Sequence, residues 1–194
     1  MSTQVAASAS QQAFLPAPGS SSLSSTARRL FEALTPLHGL GARAALLLDR
    51  ASSALRFIRL TYHHNRNERG LLRSGLRDLR RVDALVVQTS ASFAADCAFV
   101  DEWKAWEGLG RKDRLRTLWF SGTLRAAESL DSACGGRTAG LHVAWSDFLL
   151  HLEVDDEALS QTDIDAVLGR VAGLEAMTGR RVLLSSSADR RGAA

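Results

Sequence analysis

The chain has 194 residues, 45% of them hydrophobic and 23% charged, with a formal net charge of +3. That composition suits one globular domain, or one domain with a small appendage, and provides enough apolar surface for a core. Its two cysteines, Cys97 and Cys134, fit neither a disulfide framework nor a zinc motif, and no apolar run reaches the roughly 18 residues of a membrane span.

Residues 1–24 carry no charged side chain and are rich in Ser, Ala and Gln. Such a segment cannot bury enough apolar surface to offset its ordering entropy, so a disordered tail is expected. An uncharged Ser/Gln-rich start resembles the N-terminal signals of type III secretion substrates. Ending in "TARRLF", it also resembles an organelle transit peptide, and a tail that orders on a partner is a further reading. A secretory signal is not expected, because the first basic residues, Arg28 and Arg29, follow the uncharged stretch.

The pattern turns helical at Ser24 or Ser25. "SSTARRLFEALTP" offers Ser/Thr caps, then Leu30, Phe31 and Leu34 on one side, and Pro36 as a stop. A second helix is expected from Leu40 to Tyr62, where Ala44, Leu47, Leu48, Ala51, Leu55 and Ile58 keep helical spacing. Gly70 is expected to interrupt before a third helix from Leu71 to about Gln88. "ASFAADCAFVDEWKAW" reads as a fourth, and "KDRLRTLWFSGTLRAAESLD" as a fifth. After the connector "SACGGRTAG" the period changes to two over "LHVAWSDFLLHLEVDD", two strands joined at "SD" or one bent strand. "SQTDIDAVLGRVAGLEAMTG" is a well-marked helix, with Ser160 or Thr162 as cap, Asp163 and Asp165 in the first turn, and Gly179 just past the end. "RRVLLSSS" closes as a strand. The expected fold is mainly α: a bundle of about five helices over 25–132, a small β-β-α-β unit over 140–187, and a flexible tail over 188–194.

The basic residues are 22 arginines against two lysines, Lys104 and Lys112. With abundant Ala, Gly and Leu, that skew follows codon usage in a GC-rich genome, so arginine number alone is not evidence for nucleic acid. Placement says more. At about 100° per residue, the expected third helix puts Leu71, Leu72, Leu76, Leu79, Val82, Leu85 and Val86 on one arc. Arg73, Arg77, Arg80 and Arg81 fall together on one flank beside it. Over residues 56–81 there are eight arginines against Glu68 and Asp78. The flank reads as an ordinary solvated face, a footprint for an acidic protein surface, or a grip on nucleic-acid phosphate. No aromatic interleaves with it to stack bases. Asp83 falls inside the apolar arc and needs a structural ion pair, with Arg80 or with an arginine of another helix.

His63 and His64 are the first candidates for metal chemistry, and by the same geometry they point about 100° apart and off the buried stripe. His64 and Glu68 share a face, but one turned away from the core that houses metals in helical bundles. No metal site or cofactor is therefore expected. Trp103 and Trp106, three apart in "DEWKAW", are either core or an aromatic anchor for a partner. "SACGGRTAG" lacks a phosphate-loop pattern, and "HVAWSDF" lacks a nucleophile elbow.

The resulting expectation is a non-enzymatic interaction protein: a regulator, adaptor or chaperone-like factor, linked to bacterial secretion by its N-terminus alone. Its partner would be a protein with an acidic or apolar surface, met by Arg73, Arg77, Arg80 and Arg81 or by Trp103 and Trp106. The amphipathic third helix also suits a homodimer. A nucleic-acid-binding regulator using the same arginines is the alternative, and an enzyme or metalloprotein built on His63, His64 and Glu68 a third reading. Reduced cysteines suit a cytoplasmic location, with export by a signal-peptide-independent route as the variant.

Overall fold

A computed structural model describes residues 22–61, 68–97, 100–138, 140–155 and 159–186. Residues 1–21 of the expected N-terminal tail, the expected C-terminal tail, and the histidine pair His63 and His64 lie outside those residues. Ser22, Leu23 and Ser24, expected in the tail, open the first helix instead, with Leu23 and Ser24 buried. Within the described residues the chain is mainly helical with one small C-terminal sheet. No helix there is long and apolar enough to cross a membrane.

Helix α1 (Ser22–Ala33) buries Leu23, Ala27, Leu30 and Phe31, the apolar positions spaced three and four apart. The short α2 (Thr35–His38) carries Pro36 in its first turn, where a missing amide proton costs nothing. Its last residue, His38, stacks on Phe31 at 4.1 Å and meets the Trp119 ring edge-on at 5.2 Å. Nε2–H donates to the Phe31 carbonyl at 2.8 Å, and Nδ1 accepts the Leu40 amide at 2.9 Å. Burial pushes the His38 pKa down, against the raising effect of the Phe31 bond, so the ring is held neutral.

Helix α3 (Ala42–Thr61) matches the second expected helix closely, but its buried surface is wider than the apolar stripe. Ser52 and Ser53 are buried too, each hydroxyl donating to the carbonyl four residues back. Ser90, Thr117 and Thr178 do the same on their own helices. A hydroxyl satisfied in this way can be buried between helices without a desolvation penalty.

The third and fourth expected helices are redrawn. Instead of one helix over 71–88, α4 (Glu68–Gly75) and α5 (Arg81–Ala94) flank a turn. Gly70 does not interrupt; it lies inside α4. Arg80 stands in the turn with an extended backbone, φ −60° and ψ 146°, as the residue before α5. Helix α5 runs on to Ala94, taking the first residues of the expected fourth helix, and α6 (Val100–Glu107) carries the rest. Helix α7 (Arg111–Ala133) is the expected fifth, 23 residues long and therefore about 35 Å in length.

Strands β1 (His142–Trp145) and β2 (Leu149–Val154) pair antiparallel, with Val143 opposite Leu152. Strand β3 (Arg181–Ser186) lies parallel on the other side of β2, with Leu150 beside Val182 and Leu152 beside Leu184. The single helix expected between them is two, α8 (Gln161–Leu168) and α9 (Ala172–Thr178), parted at Gly169–Val171. Ser160 and Asp163 form a reciprocal capping box at the start of α8. Gly179 ends α9 at φ 66°, a conformation that glycine adopts without strain.

Two cores result. One joins Leu23, Ala27 and Phe31 of α1 to Leu48, Leu55, Val86, Ala91, Phe120 and Leu124. The other joins Leu30 of α1 and Leu34, the residue before α2, to Trp119, Ala126 and Leu130 of α7, and to Leu150, Leu152, Val171 and Leu174. The α7–α9 crossing is close. A Cβ on Gly122 would sit 3.2 Å from the Gly173 backbone, and one on Gly173 would sit 3.3 Å from Gly122.

Gly122→Ala should therefore cost about 1–3 kcal/mol through overpacking. Gly70→Ala, where a Cβ meets open space within a helix, should stabilise by about 0.5–1 kcal/mol. Urea midpoints of the two variants moving in the same direction would refute this account of the crossing.

Candidate functional site

Helix α5 ends where α6 folds back, and a cleft of about 400 Å³ opens between that corner, α7 and α9. Phe93, Asp96, Trp103, Ser121, Gly122, Arg125 and Gly173 line it. Trp103 is half exposed, at 50%, with its ring 4.8 Å from Phe93 and 6.0 Å, edge-on, from Trp106. The two tryptophans foreseen on one helical face thus divide. Trp106 is partly buried against the first core under the Arg114 guanidinium, 5.3 Å away, while Trp103 is left in the cleft wall.

The polar side of the cleft is a ladder of alternating charges. Arg59 grips Glu128 with two bonds of 2.8 Å, and Glu128 also accepts from Arg170 at 3.2 Å. Arg170 reaches Asp96 at 3.1 Å, and Asp96 pairs with Arg125. Asp96 has φ 57°, a left-handed backbone that Asp adopts more readily than most residues. Arg125 donates to the Phe93 carbonyl at 3.1 and 2.6 Å, and Arg59 to the Ala95 carbonyl at 3.1 Å. These guanidinium groups satisfy carbonyls at the negative end of α5 and hold the corner in place.

The chain matches no protein-family model, no curated protein and no solved structure. Asp96 and Arg125, the ionisable groups lining the cleft, bind each other.

The arginine flank does not survive as one stripe. Arg73 lies on α4, Arg77 and Arg80 in the turn, and Arg81 opens α5. All four are exposed. Phe93 and the Trp103 cleft lie at the other end of α5, about 18 Å from Arg81 at 1.5 Å per residue. The structure thus separates the two groups of candidate binding residues. Arg80 is committed: its Nε donates at 2.9 Å to Asp83, which is 1% exposed. Arg43 reaches the same carboxylate at 2.7 Å and Arg116 at 3.4 Å. The carboxylate that interrupts the apolar arc has both kinds of partner expected for it. Arg50 pairs with Asp78. Arg73, Arg77 and Arg81 have no ion pair among the described residues.

Of the metal candidates, Glu68 begins α4, and its two histidines lie outside the described residues. Among those residues no group of three His, Cys, Asp or Glu side chains is placed to hold a metal. The sequence reading missed Phe93, Asp96, Ser121, Gly122, Arg125 and Gly173. The one signal it offered was "FSGTLR", small residues interrupting a helix otherwise lined by large ones.

Two buried aspartates make opposite predictions. Burial raises the Asp83 pKa, but the bonds from Arg80 and Arg43 outweigh it and hold the carboxyl below its ordinary value. Its stabilisation is present above about pH 4 and is lost as pH falls through the depressed pKa. Asp49 is also buried; there desolvation outweighs Arg28 and Ser24 and raises the pKa. Its ionised form costs stability at neutral pH. Asp83→Asn should lose about 3 kcal/mol at pH 7, a loss that shrinks toward pH 3, whereas Asp49→Asn should unfold no earlier than wild type. Denaturant melts at both pH values would show it; equal losses in the two variants at pH 7 would contradict the assignment.

Proposed function

We propose that this is a protein-interaction module, a regulator, adaptor or chaperone-like factor, that docks a partner protein in the Trp103 cleft. The observation that carries this reading is Trp103 itself: half exposed, braced edge-on by Trp106 and tilted over Phe93 in a concave wall. Tryptophan covers much area with little rotamer freedom to lose, which is why it recurs at interface hot spots. A link to bacterial secretion rests on the uncharged residues 1–24, of which 1–21 lie outside the described part. The homodimer reading loses the continuous helix on which it stood.

The nucleic-acid reading keeps one specific support: Arg73, Arg77 and Arg81 are exposed and have no ion pair among the described residues. Phosphate contacts of that kind would give binding that weakens steeply with salt.

Proteins captured from the native organism by wild type should be lost on Trp103→Ala and kept on Leu46→Ala, which removes an exposed leucine from α3. A truncated hot-spot tryptophan typically costs at least about 2 kcal/mol, roughly thirtyfold in affinity. Capture indifferent to Trp103 would overturn the proposal. Titration of labelled DNA and RNA at low salt decides the second reading: no binding eliminates it, and binding must fall when Arg73, Arg77 and Arg81 are changed together to Gln.

A further inference from the structure

Among the described residues the charge ladder at the cleft holds more arginines than carboxylates. Three guanidinium groups, Arg59, Arg170 and Arg125, share two carboxylates, Glu128 and Asp96, and the series both begins and ends on arginine. Arg125 and Asp96, at its cleft end, stand in the same wall as Trp103. Their side chains are about one-third and one-half exposed, so a ligand can reach both. Gly122 and Gly173, packed against each other where α7 crosses α9, close the rest of the lining. The volume, about 400 Å³, lies at the small end for a ligand pocket. It suits the side chains of a peptide segment better than a large cofactor.

Resting on the docking reading above, we infer that the partner presents a peptide segment with one large apolar side chain and a carboxylate within one helical turn of it. The apolar side chain seats on Trp103 and Phe93. The carboxylate lies at Arg125 and Arg170 and offsets the excess of arginine among the described residues of the ladder. Because these arginines are partly exposed, the carboxylate contributes mainly to selectivity and association rate, and its effect is weakened by salt. A basic segment would add positive charge where arginines already outnumber carboxylates among the described residues, and is disfavoured.

The test is selection of a random displayed peptide library on the full chain, followed by affinity measurements on synthetic copies of the enriched peptides. The expected result is an apolar anchor with Asp or Glu within a turn. Affinity should fall about thirtyfold on Trp103→Ala. Converting the peptide carboxylate to its amide should weaken binding about threefold to fivefold at low salt, and much less at about 0.5 M salt. Using the amide leaves the protein untouched, so no folding defect enters. Arg170→Gln, which spares the α5 carbonyls bonded by Arg125, should erase most of the difference between acid and amide. Peptides that depend on Trp103 but show no acid preference, or prefer Lys or Arg, would overturn this inference and leave the docking reading standing. Peptides that bind Trp103→Ala equally well, or no enrichment at all, would count against both.

Discussion

The structure depends on α7 being buried along two faces at once. Phe120, Leu124 and Ala127 face the core shared with α3 and α5, while Trp119, Ala126 and Leu130 face the core shared with the sheet. Helix α1 is divided in the same way, with Ala27 and Phe31 on one side and Leu30 on the other. A helix with two buried faces has little perimeter left for large polar groups, so its interior positions go to Ser121, Gly122 and Thr123. Those small residues then allow α9 to approach Gly122 closely. The connector near residues 132–140 consequently separates stretches of chain, not cores. Both cores should be lost together, since each draws on the same two helices.

The arginine excess takes on a structural meaning in this arrangement. Arg59 and Arg125 bond carbonyls at the end of α5, and Arg114 bonds the Leu109 and Glu107 carbonyls after α6. A guanidinium has five donors in a fixed fork, so one side chain can cap a helix end and bind a carboxylate together. Arg125 does so with Phe93 and Asp96, and Arg59 with Ala95 and Glu128. The same logic shapes the α4–α5 turn. With its backbone extended just before α5, Arg80 reaches Asp83, three residues on.

Elements set by strong local signals were legible in the sequence. The apolar spacing of α3, the Ser160 cap and the Gly179 stop are all found where the residues place them. The breaks at 76–80 and at 169–171 were not, because helical periodicity persists across both and only tertiary partners choose between bending and continuing. The α5 boundary was misplaced for a related reason: Thr89 and Ser90 look like loop residues, yet both are buried within the helix. At the cleft, Trp103 and Trp106 were legible as a pair on one face. Which of them stays exposed depends on Phe93 and Arg114, residues of other elements. Arg125, Arg170 and Asp96 carried no local signal, since an arginine in an arginine-rich chain is distinguished only by what it touches.

Exposure alone does not single out the cleft. Phe148 at 80% and Leu60 at 75% are both more open than Trp103 at 50%, and single apolar residues on a surface are normal. What sets Trp103 apart is that its surroundings are fixed. Its ring is braced by two other aromatics, and the corner beneath is tied by guanidinium bonds to the end of α5. A side chain held in one orientation before a partner arrives has less entropy to lose on binding than one turning freely on an open strand or helix end. Affinity from so small a concavity requires that preorganisation. It exists here because the chain turns between two cores that share α7, leaving aromatic and charged side chains together in one cleft at the seam.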